Sequence, residues 1–245
     1  MAKRLAFQAD REVRHTVIRV IANHLKKDST KSWQGLNFDF TGVVFDGGSF
    51  AYAVFSGGTV DFRGAVFSGG TVDFNFALFS GSSVYFSGAK FSGGTVEFAS
   101  AYFSGGWVFF DHAYFSRGKV NFHAANFCGP GAPVDFRGAE FSGSTVDFSA
   151  TFSGGPVDFT GAKFCGSTVS FRRAGFSGST VDFSKVRVWR YPPQFDWATD
   201  AAPPKNVMLP EAPMGSDIPS LNLGPPPGNA PSRPPKPAGQ DDELA

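Results

Sequence analysis

The sequence predicts an all-β fold: a four-walled solenoid of short strands, about six coils long, preceded by a helical cap and followed by a proline-rich tail. Three observations predict it. Phe40, Phe45, Phe50 and Phe55 stand five residues apart, and from Phe55 the step alternates between seven and five through Phe127. The series continues to Phe183 and takes in twenty-five of the thirty phenylalanines. Two residues before each of these rings stands a small or branched apolar residue, as at Val60, Ala65, Val72, Ala77, Val84 and Ala89. Glycine and serine recur at the block ends, where the backbone can turn tightly.

Positions two apart on a strand point to the same side. Each phenylalanine and the residue two before it therefore face inward, and the residue between them faces out. A twelve-residue coil, the length of the unit Ala53 to Gly64, is too narrow for two rings. Four walls of one block each fit better. The four plain blocks ending at Phe55 make a first coil of about 20 residues, and later coils with two widened corners reach about 24. At a strand spacing of ~4.8 Å the rod is roughly 30 Å long.

These blocks, Ala-x-Phe-Ser-Gly alternating with Val-Asp-Phe-x-Gly, resemble those of pentapeptide-repeat proteins across residues 36 to 185. The resemblance implies a right-handed quadrilateral β-helix. This chain departs from the family pattern in using phenylalanine at every central position and in its Gly-Thr inserts. The segment Arg4 to Leu25 is similar to the helical lead-in of actinobacterial members.

The ends differ in character from the rod. Residues 1–35 form an N-terminal helical cap with eight basic and three acidic side chains, net +5. Within it, 10–27 reads as an amphipathic helix, with Asp10 as N-cap and Val13, Val17, Val20, Ile21 and Leu25 as the apolar stripe that covers the first coil. Arg11, Arg14, Arg19, Lys26 and Lys27 make it basic. The rod, 36–185, carries net −2. Residues 186–198, with Trp189, Tyr191, Phe195 and Trp197, are expected to fold over the last coil as an aromatic cap. Residues 199–245, rich in proline and poor in large apolar side chains, read as a disordered tail. No apolar run reaches the ~18 residues that span a bilayer, so an integral membrane protein is not expected. No signal-peptide core is visible, and a cytoplasmic location is expected.

No constellation for catalysis, cofactor or metal binding emerges, and none is predicted. His112 and His123 belong to blocks two walls apart, out of mutual reach. Cys128 and Cys165 fall on opposite walls, where no disulfide can form, and two reduced, exposed thiols are expected. The repeated serines and Gly-Gly pairs are structural by their repetition. An outward acidic column, Asp61, Asp73, Glu97, Asp135, Asp147, Asp158 and Asp182, raises the reading of a DNA-imitating modulator of a type II topoisomerase, as in some proteins of the family it resembles. The column is divided between two walls and interrupted by Arg63 and Arg137, and the rod's net charge is weak for that role.

The leading functional feature is apolar and outward. At 24 residues per coil, Leu78 and Tyr102 stack on one wall, Tyr85 and Phe109 stack on the next, and Trp107 stands at the corner between. Contiguous exposed apolar surface marks contact sites, and tryptophan and tyrosine are favoured anchors. The sequence therefore reads as a non-enzymatic interaction or scaffold module that binds a protein partner or a second copy there. Nucleic acid is not the expected partner. Peripheral membrane attachment through the basic helix is a third reading.

Overall fold

The computed structural model describes residues 2–197 and 202–211. The fold is a parallel β-solenoid of four walls, preceded by one helix. Wall A runs from Phe38–Asp39 to Val207–Met208 and holds eight strands, wall B begins at Val44–Phe45 and holds seven, wall C begins at Gly48–Ser49 and holds six, and wall D begins at Val54–Ser56 and holds five. The chain visits A, B, C and D in turn and starts again, and every named strand pairing is parallel. The strands are only two or three residues long because a corner follows each phenylalanine block.

Four columns of rings fill the bore. Phe62, Phe86, Phe110, Phe136 and Phe159 stack beside wall A at 4.7 to 4.9 Å, within 5° of parallel. The column beside wall C meets it edge-on: Phe86 faces Phe98 at 5.7 Å and 88°, and Phe110 faces Phe122 at 5.7 Å and 90°. Edge-to-face and offset-stacked contacts are the geometries that the ring quadrupole favours. From Phe55 to Phe171, valine or alanine two residues before each ring completes the buried face, as at Val84 and Ala89.

The register gives the coil length. Phe38 pairs with Val60, 22 residues on, so the first coil is longer than the 20 expected. Val84 pairs with Val108 at the expected 24. Val108 pairs with Val134 at 26, because the corner Gly129–Ala132 closes its own turn through Ala132 N–H donating to Gly129 O.

Two expectations about the ends change. The aromatic segment after Phe183 does not fold over the last coil but continues the winding. Val188–Trp189 extends wall B, and the Trp189 ring meets Phe164 at 5.2 Å. Phe195 stacks on Phe171 at 5.5 Å, and Trp197 meets Phe176 at 6.3 Å. Val207–Met208 then closes wall A against Val181–Asp182, which puts part of the expected tail into the rod and raises about six coils to about seven. The rest of that tail, 199–201 and 212–245, lies outside the described residues.

At the other end the helix, α1, spans Ala2–His24, so Asp10 is inside it and is not its N-cap. Its buried side is Ile18, Ala22 and Leu25, with Ile21 half-buried, whereas Val13, Val17 and Val20 face solvent. Three of the five residues of the expected stripe are thus turned away from the rod, and Ile21 and Leu25 face it. Two contacts set this rotation. The Gly47-Gly48 corner admits α1 so closely that a Cβ on Gly48 would lie 2.7 Å from Ile18 Cδ1. Asp46 beside it accepts from Arg14 Nη2 at 2.5 Å and bonds His15 Nε2 at 3.2 Å. Leu25 O then accepts from Val54 N–H at 2.8 Å, so the end of the lid completes the wall D ladder.

Partial burial works against the Asp46 charge, but the Arg14 hydrogen bond and the nearby cations outweigh it and hold the carboxyl below its usual range. The stabilisation is present above the ordinary carboxylate pKa of ~3.9 and is lost as pH falls through the lower folded value. Below about pH 4, wild-type stability to urea should therefore fall more steeply than that of Asp46→Asn. Phe110→Ala should cost about 3–5 kcal/mol in the same assay, since it opens a ring-sized cavity in a column that cannot collapse.

Candidate functional site

The outward positions of walls A and C are turn caps. On wall A, Asp39, Asp61, Asp135, Asp158 and Asp182 each accept the backbone N–H two residues on, at 2.7 to 2.9 Å. On wall C, Asp73 and Asp147 do the same at 2.9 Å. This is the Asx-turn, in which a short carboxylate replaces a backbone acceptor at a tight corner. Several of these acids are also neutralised. Arg63 Nε donates to Asp61 at 2.8 Å, Arg137 Nε to Asp135 at 2.8 Å, and Lys119 lies 3.8 Å from Glu97. Burial alone would raise Asp61, yet the Arg63 hydrogen bonds outweigh it and hold that carboxyl below its usual range. Six of the seven acids in the column read as possible DNA imitation are corner fastenings, and the seventh, Glu97, accepts from Asn121 and lies near Lys119.

Three coils of wall A lack the fastening, the last one at Met208 and two successive ones in the middle. Tyr85 and Phe109 occupy the aspartate place between Asp61 and Asp135, in register with both. Their rings stack at 5.1 Å and 7° on the outside of the rod. Trp107 leans on Phe109 at 5.6 Å and is 54 % exposed. Its corner is tight, since a Cβ on Gly106 would lie 1.9 Å from Ser82 O. Around that corner, on wall D, Leu78 pairs with Tyr102, which is 48 % exposed. The stacking neighbours are the expected ones, but only Tyr102 and Trp107 are exposed, whereas Leu78, Tyr85 and Phe109 are half-buried. Arg63 covers the upper edge of the patch, 5.7 Å from the Tyr85 ring centroid.

The surface extends further than the sequence reading took it. Tyr52 and Phe76, two residues before Val54 and Leu78, stack at 4.9 Å and 4° at the corner leading into wall D. They are 59 % and 51 % exposed. Their backbones are left-handed, with φ of 59° and 58°, a region that bulky side chains rarely adopt. The equivalent corner in later coils carries Ser100, Ala124 and Arg173. The signal was present: Phe76 and Phe109 are two of the five phenylalanines off the ruler, and Tyr52 lies one coil before Phe76.

The other candidate groups are dispersed. His112 lies over Gly138, whose Cβ would come within 2.7 Å of its ring, and His123 bonds Ser149 Oγ on the far side. Cys128 follows wall D and Cys165 follows wall B; both are half-buried, not exposed as expected, and burial pushes the Cys165 thiol up. Among the described residues no three His, Cys, Asp or Glu side chains are placed to hold a metal ion, and no helix is long and apolar enough to cross a membrane.

No family model matches the chain. No curated protein matches it by sequence. Among solved structures, one that matches is HetL, a pentapeptide repeat protein involved in heterocyst differentiation regulation from the cyanobacterium Nostoc sp. strain PCC 7120. The identity is 15 %, over 64 % of this chain and 91 % of that one, with a TM-score of 0.14.

If Tyr85 and Phe109 stand where a cap belongs, restoring the acid should stabilise the rod. Tyr85→Asp and Phe109→Asp are each expected to gain about 0.5–1.5 kcal/mol in urea unfolding, an unusual direction for a substitution on a folded wall.

Proposed function

We propose that this chain is a non-enzymatic interaction module of the pentapeptide-repeat kind, and that a protein partner or a second copy docks on the aromatic surface from Tyr52 to Phe109. One observation carries the reading: in two successive coils the corner-capping aspartate is replaced by a ring that protrudes outward and stacks on its neighbour. A rod without a partner gains little from exchanging a hydrogen-bonding carboxylate for half-buried rings whose outer faces stay in water. A contact surface does, because rigid aromatic rings lose little entropy when a partner covers them.

The topoisomerase reading loses its support with the acids' role as turn caps, two of which, Asp61 and Asp135, are also held by Arg63 and Arg137. Micromolar protein should leave a supercoiling assay unchanged. Membrane attachment keeps one feature in its favour, the exposed Val13, Val17 and Val20. However, Arg11, Arg14 and Lys26, three of the lid's cations, are engaged with Asp46 or Ala51 of the rod. Flotation with anionic vesicles is the check, and binding there would transfer the function to the lid.

The deciding comparison is wild type against Tyr85→Ser/Trp107→Ser/Phe109→Ser, once the variant is shown to be folded. Sedimentation of the full chain reads self-association, and affinity capture from native lysate reads a foreign partner. A dimer or a captured protein that the variant loses is expected. Identical behaviour of the two proteins in both measurements overturns the docking surface.

A further inference from the structure

Below Trp107 the outer face of wall A forms a groove of about 320 Å³ that crosses successive coils down to Met208. One side is apolar: Trp107, then Pro133 and Pro156 at the same corner of the next two coils. The other side starts at Phe109 and continues with Asp135, Asp158 and Asp182. Arg137 engages Asp135 closely but reaches Asp158 only at 4.0 Å. Asp182 bonds only the Ser184 backbone and hydroxyl, and no cation lies within 4 Å of it among the described residues. The groove therefore has rings at one end and along one side, and at the other end Asp182, with no cation within 4 Å among the described residues, beside Asp158, which Arg137 reaches only loosely.

The wall offers an incoming chain no backbone hydrogen bonds. Phe110 N–H donates to Asp135 O, Phe136 N–H to Asp158 O and Val157 N–H to Thr180 O, so the ladder beneath the groove is used up. A β-strand laid here would leave its own donors and acceptors unmatched. A polyproline II segment would not, because its backbone makes no internal bonds and stays solvated. Its repeat also fits. Three residues at ~3.1 Å give a turn of ~9.3 Å, and two coils at the ~4.8 Å strand spacing give ~9.6 Å. Side chains at i and i+3 of such a segment thus meet equivalent places two coils apart. From the coil of Trp107 to that of Met208 is four steps, ~19 Å, or about six residues of polyproline II.

We propose that this groove binds a basic, proline-rich segment of a partner protein in the polyproline II conformation, with prolines against Trp107, Pro133 and Pro156 and cations on Asp158 and Asp182. The proposal rests on the reading of Trp107 and Phe109 as contact residues, and it adds a charged half that the aromatic surface lacks. Aromatic-lined grooves are the usual receptors for such segments, since little entropy remains to be lost on docking.

The test is a fluorescence-anisotropy titration of the full chain with a labelled (Arg-Pro-Pro)3 peptide. Saturable binding is expected. Asp158→Asn/Asp182→Asn keeps an oxygen for each turn cap and removes only the charge, so it should fold as wild type and bind at least fivefold more weakly. Trp107→Ala should weaken binding by a similar factor. An (Arg-Gly-Gly)3 peptide carries the same charge without the preformed helix and should bind at least tenfold more weakly. No saturation at millimolar protein, equal binding of the glycine peptide, or indifference to either variant overturns the proposal. If peptide binding fails while the Tyr85→Ser/Trp107→Ser/Phe109→Ser variant still loses its dimer or partner, the groove falls and the contact surface stands. If both fail, so does the reading beneath them.

Discussion

The rod depends on an equality of two spacings. Parallel strands in register repeat at ~4.8 Å, and the phenylalanine columns stack at nearly the same distance, 4.7 Å for Phe91 on Phe115 and 4.8 Å for Phe141 on Phe164. Backbone hydrogen bonding and ring stacking therefore impose the same rise, and neither is strained to suit the other. The bore accepts little besides phenylalanine, because a smaller side chain leaves a void and a larger one breaks the column. It follows that coils can differ only on the outside and at the corners. Whatever distinguishes one level of the rod from another has to be written there.

On that outer surface most positions are still committed to structure. The aspartates of walls A and C fasten corners, and Arg63 and Arg137 in turn hold Asp61 and Asp135. The exceptions are concentrated. Tyr85 and Phe109 give up a cap, Tyr52 and Phe76 adopt a left-handed backbone with bulky side chains, and both pairs belong to neighbouring coils. A forgone hydrogen bond is of order 1 kcal/mol, and it persists in a repeat whose other coils keep the cap, whereas the left-handed corner recurs at Ser100, Ala124 and Arg173 and only the aromatic ring is peculiar to Tyr52 and Phe76. Local departures from a rule that the rest of the molecule obeys are where function is expected to act against stability.

Much of this was legible in the sequence because the inward pattern and the coil length together determine which outward residues become neighbours. The pairs Leu78 with Tyr102 and Tyr85 with Phe109 followed from counting 24 residues. What was not legible depended on contacts that a periodic pattern does not contain. Val13, Val17 and Val20 form as good a stripe as Ile18, Ala22 and Leu25, and only Asp46 and the open Gly47-Gly48 corner choose between them. The seventh coil was hidden because Trp189, Phe195 and Trp197 break the ruler's spacing while still finding its columns. The acid column looked like a display of charge because an Asx-turn and an exposed carboxylate share one sequence signature.

The two ends bear on where contacts can form. An open solenoid end presents unpaired strand edges and bare rings, and so favours head-to-tail stacking of copies. Here Leu25 O takes the Val54 N–H at one end, with α1 beside it. At the other end the columns finish in Trp189, Phe195 and Trp197, with Leu209 following in register with Phe183. Three of the four columns are closed by a residue other than phenylalanine, Trp189, Trp197 and Leu209, so a further copy would meet an irregular surface without a matching register. Association along the axis is thereby disfavoured, and the unspent apolar area of the described rod lies on its side. A partner of the kind proposed would approach the rod laterally and read several coils at once, which is the arrangement a surface spread over Tyr52, Phe76, Tyr102 and Phe109 requires.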